Sequence, residues 1–222
     1  MATVAMRKPH ADRPIEGMMA KWYAANTGEM MREYIELAHR VSQELANGSR
    51  VLEVAPGPGY FCIELAKRGS YSITGMDLSR TFVKMAKEKA VEAGAAVKFM
   101  QGSASNMPFP ADSFDFLLCR AAFKNFADPV GALQEMCRVL KSGGQALLID
   151  LSRDARPDDV NRAVDKLGLS ALNRFLTKMT FKTMLIRSAY TRAEFEQMLA
   201  QTHFTHTKIS EDGIGFEIRM TK

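Results

Sequence analysis

Cysteine is scarce in this chain, and what there is does not pair. Cys62, Cys119 and Cys137 are odd in number and none stands in Cys-x-x-Cys spacing. That pattern argues against a disulfide framework and a cysteine-built zinc site, and points to a reduced, cytoplasmic protein with no metal. No apolar run is long enough to cross a bilayer. Met1 to Pro14 is polar and basic without the apolar stretch of a signal peptide. Internal repeats and low-complexity segments are missing too. Acidic residues vanish over one long interval: between Lys166 and Arg192 there is none.

What remains is ample material for a core. With 222 residues, 46% of them hydrophobic, the chain is expected to form one domain spanning 1–222. A net charge of +5 permits an anionic partner without requiring one. The stretch that organises the rest is Val51-Leu-Glu-Val-Ala-Pro-Gly-Pro-Gly-Tyr-Phe61. Val51, Leu52 and Val54 predict a short buried strand, Gly57 and Gly59 a sharp turn, and Tyr60 to Lys67 a helix. Glycines let backbone approach a ligand closely, and the following helix N-terminus offers free N–H groups. Pro56 and Pro58 are expected to push Ala55 and Gly57 toward extended geometry. Asp77 ends the next strand, Ser72 to Met76, where an acid can accept hydrogen bonds from ribose hydroxyls.

The turn does not suit a phosphate. A phosphate cradle wants Gly-Lys-Ser/Thr after its second glycine, and Tyr60-Phe61 stands there instead; a dinucleotide turn wants glycine or alanine where Cys62 stands. Glu53-Val-Ala-Pro-Gly-Pro-Gly59 followed by Asp77 resembles motifs one and two of the class I S-adenosylmethionine-dependent methyltransferases. Gly102-Ser-Ala-Ser-Asn-Met-Pro-Phe109, Phe114-Asp115 and Arg138-Val-Leu-Lys-Ser-Gly-Gly144 extend the resemblance from about Ser49 to Leu151. It is closest to the small-molecule branch that includes quinone-biosynthesis enzymes. The resemblance implies an α/β three-layer sandwich: a doubly wound, mostly parallel seven-stranded sheet whose last strand is antiparallel. It implies S-adenosylmethionine as cofactor. It also implies cofactor contacts at Tyr23, Glu53, Ala55, Pro56, Gly57, Gly59, Asp77, Leu78, Gly102, Ser103, Ala104, Cys119 and Arg120. Ser103 stands where the family usually has an acid beside the adenine, and a hydroxyl is a weaker acceptor.

Taken in order, the resemblance implies that residues 1–47 hold an N-terminal lid over cofactor and substrate, with Tyr23 against the cofactor or, as the alternative, Trp22 and Tyr23 covering the core. The apolar spacing predicts a helix from about Gly28 to Ala46. Residues 48–151 form the cofactor-binding core. Within it, Ser79 and Asp128 are expected N-caps and Gly94 a terminator. The helix through Leu140 is expected to stop at Gly143-Gly144, before a fifth strand from Ala146 to Leu151. Residues 152–189 predict a variable helical insert, with an apolar stripe of Leu172, Phe175, Leu176 and Met179 opposite Arg174, Lys178 and Lys182. Residues 190–222 predict a helix with a Thr191–Glu194 capping box and two strands in a hairpin.

Methyl transfer from a sulfonium needs alignment and exclusion of water more than a dedicated acid or base. No catalytic dyad is therefore expected in the sequence. Arg120, Phe123, Lys124 and Asn125, after strand four, and Asp150 to Arg153, after strand five, should line the substrate mouth. His39, His203 and His206 fall away from the carboxyl ends of the strands and are expected to be structural. Fifteen methionines suit an adaptable apolar pocket, or simply core filling. The expected substrate is a small, partly apolar or aromatic molecule. The first alternative is an RNA or protein methyltransferase using the basic 166–192 segment. Nucleic acid is not favoured, since no second basic cluster stands out and few aromatics look free for base stacking. The other is a non-catalytic or NAD-binding Rossmann-like domain. Oligomeric state is not legible.

Overall fold

The computed structural model describes residues 14–27, 31–165, 179 and 185–222. Seven strands form one sheet: β1 (Arg50–Val54), β2 (Ser72–Asp77), β3 (Val97–Gln101), β4 (Phe114–Arg120), β5 (Leu140–Leu151), β6 (His206–Asp212) and β7 (Gly215–Thr221). Their spatial order is β3-β2-β1-β4-β5-β7-β6. β2 and β4 pair parallel with β1, β3 with β2 and β5 with β4, and β7 enters antiparallel to β5 and β6 as a hairpin. The reversal of strand order at β1 and β4 opens a crevice at their carboxyl ends, where open α/β sheets bind ligands.

Alternation along each strand assigns side chains to two cores. Leu52, Val54, Leu117 and Leu148 pack on one face with Leu133 and Met136 of α5 (Pro129–Val139) and Phe195 and Met198 of α8 (Arg192–Leu199). Val51, Leu118 and Leu147 pack on the other with Val41 of α2 (Met31–Ser42), Phe61 and Leu65 of α3 (Tyr60–Ala66), and Val83 and Ala86 of α4 (Arg80–Glu92). Covered on both faces, β1 and β4 are apolar as central parallel strands are, apart from the acids Glu53 and Asp115 and an arginine at one end of each. Each fully buried leucine contributes roughly 1.5–3 kcal/mol.

Local signals placed most boundaries. The Ser79 hydroxyl accepts from the Phe82 N–H at 3.1 Å, and Asp128 accepts from the Gly131 N–H at 2.9 Å with Pro129 in the first turn. At α8, the Thr191 hydroxyl and Glu194 carboxylate complete the expected capping box. Three expectations need correction. The helix expected from Gly28 to Ala46 is found as α2, which already ends at Ser42, and a further helix, α1 (Gly17–Thr27), precedes it where none was expected. The helix through Cys137 ends at Val139, and Leu140 already pairs with Phe114. Gly143 and Gly144 absorb an excursion inside β5, because the Lys222 carbonyl accepts the Gly143 N–H at 2.8 Å and Lys222 N–H reaches Gly144. Finally, Ala55 and Gly57 have φ of +57° and +55°, not extended values.

Of the 152–189 insert, α6 (Pro157–Asp165) and α7 (Ile186–Ser188) are helical. Met179 is helical and half exposed. Leu172, Arg174, Phe175, Leu176, Lys178 and Lys182 lie outside the described residues. A basic face does occur elsewhere: Arg80, Lys84 and Lys87 line a groove on α4 with Glu88 among them. Among the described residues no helix is long and apolar enough to cross a membrane.

Candidate functional site

The site is built on the carboxyl ends of β1, β2, β3, β4 and β5. Asp77, the last residue of β2, is nearly buried, and both its oxygens are engaged. Oδ2 accepts the Gly57 N–H at 2.9 Å and Oδ1 the Ser79 N–H at 2.8 Å. This carboxylate therefore explains the left-handed Gly57: the turn curls back so that its amide meets the acid. Ala55 bends likewise, donating its N–H to Met76 at 2.8 Å. Burial raises the Asp77 carboxyl above its ordinary range, against the lowering pull of the two N–H donors. Each carboxylate oxygen retains a second lone pair for a ligand hydroxyl.

The two motif glycines have different duties. A Cβ on Gly57 would point into open space, whereas one on Gly59 would stand 2.6 Å from the Phe99 ring. Gly57 thus faces the crevice, and Gly59 is there for close packing, with φ of +80°. Gly102 is also a packing residue, since its Cβ would meet Met76 Sδ at 2.5 Å. Its N–H donates to Asp77 O at 3.0 Å and holds the turn after β3 beside the acid. Leu78 offers its carbonyl to Gln101 Nε2 at 3.1 Å. The Ser103 hydroxyl sits 3.2 Å from that of Ser105, and Ala104 packs on the core. Pro56 is buried against Gly75.

Glu53 lies beneath the turn, 3% exposed, and accepts the Cys62 thiol proton on Oε2 at 2.9 Å. Cys62 is therefore a buried donor for an acid, which is why neither glycine nor alanine stands there. Burial pushes the Glu53 carboxyl up to about 7, while Cys62 and Arg120 pull the other way and Asp77 adds to the rise. A folded-state value above the unfolded one means that the native protein binds the extra proton between the two, so stability falls as pH rises through that window. Glu53→Gln should remove this slope. Chemical denaturation from pH 5 to pH 7.5 should show a decline of up to about 1.4 kcal/mol per pH unit in the wild type and a flatter line in the variant. Parallel lines would mean that Glu53 is ionised throughout.

The candidates after β4 fare unevenly. Arg120 is largely buried, pairs with Glu33 of α2 and lies 4.5 Å from the Tyr34 ring centroid. Asn125 is exposed. Phe123 and Lys124, expected at the mouth, are not available there. Phe123 is fully buried and stacks on Phe195 at 5.3 Å between centroids. Lys124 is also buried; its Nζ donates to Asp150 Oδ1 at 3.0 Å and to the Ala121 carbonyl at 2.7 Å, and its N–H to Asp150 Oδ2 at 3.0 Å. A lysine after strand four is expected to line the mouth, but the Asp150 carboxylate at the end of β5 draws it inward. The Cys119 side chain belongs to the core, so only its backbone is free to meet a ligand. Arg153 pairs with Glu194.

Above the crevice stands α1. Tyr23 lies in it, with its side chain outside the described residues. The helix is tied down by a clasp that the sequence did not reveal. Glu16 accepts the N–H groups of Arg80 and Thr81 at 2.8 and 3.1 Å and also bonds the Thr81 hydroxyl. Ser79 donates its hydroxyl to Ile15 O at 2.6 Å. The Thr81 hydroxyl, with the two backbone donors, holds the Glu16 carboxyl below its usual range. Tyr60 OH donates to Ala24 O at 3.0 Å, fixing the helix to the glycine turn. A serine or threonine after motif two was the only available hint. His39 meets Arg68 and His206 meets Thr205, both away from the crevice. Among the described residues no cluster of His, Cys, Asp and Glu could hold a metal.

Residues 52–148 match the family described as "Methyltransferase domain". A demethylmenaquinone methyltransferase of Deinococcus radiodurans is 40% identical over 102 residues, 46% of this chain and 42% of that protein. A ubiquinone/menaquinone biosynthesis C-methyltransferase of Rickettsia massiliae is 36% identical over 112 residues, 47% and 45% of the two chains. The match thus spans less than half the length of these relatives. A solved Methanococcus maripaludis protein, described as a candidate S-adenosyl-L-methionine-dependent methyltransferase, superposes with TM-score 0.75 at 20% identity over 98% of this chain and 97% of its own. That likeness shows the Rossmann-like class I methyltransferase fold for the chain.

Proposed function

We propose that the chain, whose residues 52–148 match a methyltransferase domain, transfers a methyl group from S-adenosylmethionine to a small, partly apolar or aromatic molecule, leaving S-adenosylhomocysteine. The observation that carries this reading is the ribose-ready Asp77, braced by Gly57 and Ser79 beside an open space over Gly57. The geometry favours a nucleoside with vicinal hydroxyls over a phosphate. The Gly57 amide, which a phosphate cradle would use, is already given to the Asp77 carboxylate. A bound S-adenosylmethionine would supply the activated methyl group. The chain's own part is to hold the ribose at Asp77, to cover the site with α1, and to align an acceptor near Arg120 and Asn125.

The named relatives favour a carbon of a quinone-type molecule as acceptor. Calorimetry should find micromolar binding of S-adenosylhomocysteine and none of NAD. Radiolabelled S-adenosylmethionine should then deliver label to a demethylated quinol, and not to mixed cellular RNA. Binding of NAD with neither sulfur ligand would overturn the assignment. Label on RNA would move it to the nucleic-acid branch, which the groove of Arg80, Lys84 and Lys87 gives a physical place.

A further inference from the structure

Arg120 closes β4 at the mouth of the crevice, and among the described residues its charge is poorly balanced. Its side chain is only 14% exposed, while its ion-pair partner, Glu33, is 50% exposed. The contact runs from Nη2 to one carboxylate oxygen, Oε2, instead of the two parallel bonds a guanidinium can make. A half-solvated carboxylate is a weak offset for a desolvated cation. Glu33 itself has little need of the pair: it sits in the first turn of α2, where the helix N-terminus already stabilises negative charge. The nearby acid Glu53 is committed to the Cys62 thiol. Tyr34 flanks the guanidinium with its ring, a flat wall that lines up a planar cation for recognition of a planar anion.

We propose that Arg120 is a carboxylate receptor, and that Glu33 of α2 holds its place until the carboxylate of a bound ligand displaces it. The proposal rests on the methyltransferase reading for the identity of the ligands. It goes beyond that reading in assigning an exchangeable anion site. Two sources share this chemistry: the amino-acid tail of the cofactor, and an acid group on the acceptor. In either case the exchange couples ligand arrival to the start of α2, because the same bond that receives the ligand releases Glu33.

The test is calorimetry on wild type, Glu33→Gln and Arg120→Met, with S-adenosylhomocysteine and with 5′-methylthioadenosine, which keeps the thioether nucleoside and lacks the tail. If the tail is the ligand, Glu33→Gln should tighten S-adenosylhomocysteine by roughly threefold to tenfold, and Arg120→Met should weaken it by at least about tenfold. Methylthioadenosine should stay within about twofold of wild type in both. If the acceptor brings the carboxylate, both variants leave the nucleosides unchanged. Sodium benzoate titrated into protein saturated with S-adenosylhomocysteine should then bind wild type, bind Glu33→Gln more tightly and miss Arg120→Met. The proposal is overturned if both nucleosides shift together, which would mean a lid contact only, or if neither S-adenosylhomocysteine nor benzoate responds. Should Arg120→Met melt early, the half-exposed Glu33→Gln still decides the question. Wild type that binds neither nucleoside refutes the cofactor reading instead, and benzoate titration of the unliganded chain then decides the receptor alone.

Discussion

Replacing Asp77 by alanine is expected to weaken S-adenosylhomocysteine binding by about a hundredfold. Two losses combine. A ribose hydroxyl bonded to a carboxylate contributes roughly 1.5–3 kcal/mol, which alone amounts to at least about tenfold. The second loss is the brace itself. Without the carboxylate, the Gly57 and Ser79 amides lose their acceptor, and the turn no longer has a reason to hold Gly57 at φ +55°. An unmade bond to a buried N–H costs about 1–3 kcal/mol, so the unliganded protein should also lose on the order of 2 kcal/mol of stability. The two effects separate by experiment, with calorimetry reading binding and urea denaturation reading the fold. Stability lowered while affinity stays within threefold of wild type would mean that Asp77 shapes the turn without touching the ribose.

The parts of this molecule that were legible in sequence are those decided within a few residues. Ser79, Asp128 and the Thr191–Glu194 box each satisfy a helix end from three positions away, so local chemistry alone names them. The strand pattern was legible for a similar reason: β1 and β4 are apolar on both faces because helices cover both. The β6–β7 hairpin was legible in the turn between two short strands, whereas the antiparallel entry of β7 beside β5 came from the family resemblance. What sequence did not yield was decided by partners far along the chain. Glu16 meets Thr81 across 65 residues, and nothing local marks a glutamate near the N-terminus as a helix cap for a distant helix. Ala55 and Gly57 precede prolines, a context that favours extended backbone, yet the Met76 carbonyl and Asp77 carboxylate override it. The Gly-Gly pair at 143–144 looked like a helix stop, and only the chain's last residue, Lys222, shows it to be an excursion within a strand. Sequence therefore placed Asp77 at the end of β2, beside the glycine turn. It could not tell which polar residues around the crevice face the ligand and which hold the walls.

Lys124 is the sharpest case of that distinction, and Lys124→Met should be the most destabilising single change considered. Its side chain is 8% exposed and that of Asp150 is 1% exposed. Breaking one partner of such a pair leaves a buried charge without compensation, at a cost of about 3–5 kcal/mol. For a domain of this size that corresponds to a fall of roughly 10 °C in Tm. The Ala121 carbonyl loses its ammonium donor as well. Ala121 sits at φ +56°, in a region that alanine rarely adopts, so the loop carrying Arg120 should loosen. Charge and packing can be told apart with a second variant. Lys124→Met/Asp150→Asn removes the stranded charge, and the asparagine oxygen can still accept one of the two N–H groups, Lys124 and Leu151, that Asp150 serves. Urea denaturation should show the double variant recovering at least half of the loss. If the single variant costs less than about 1 kcal/mol, the pair is behaving as a solvated surface contact, and Lys124 returns to the list of side chains free to reach a substrate.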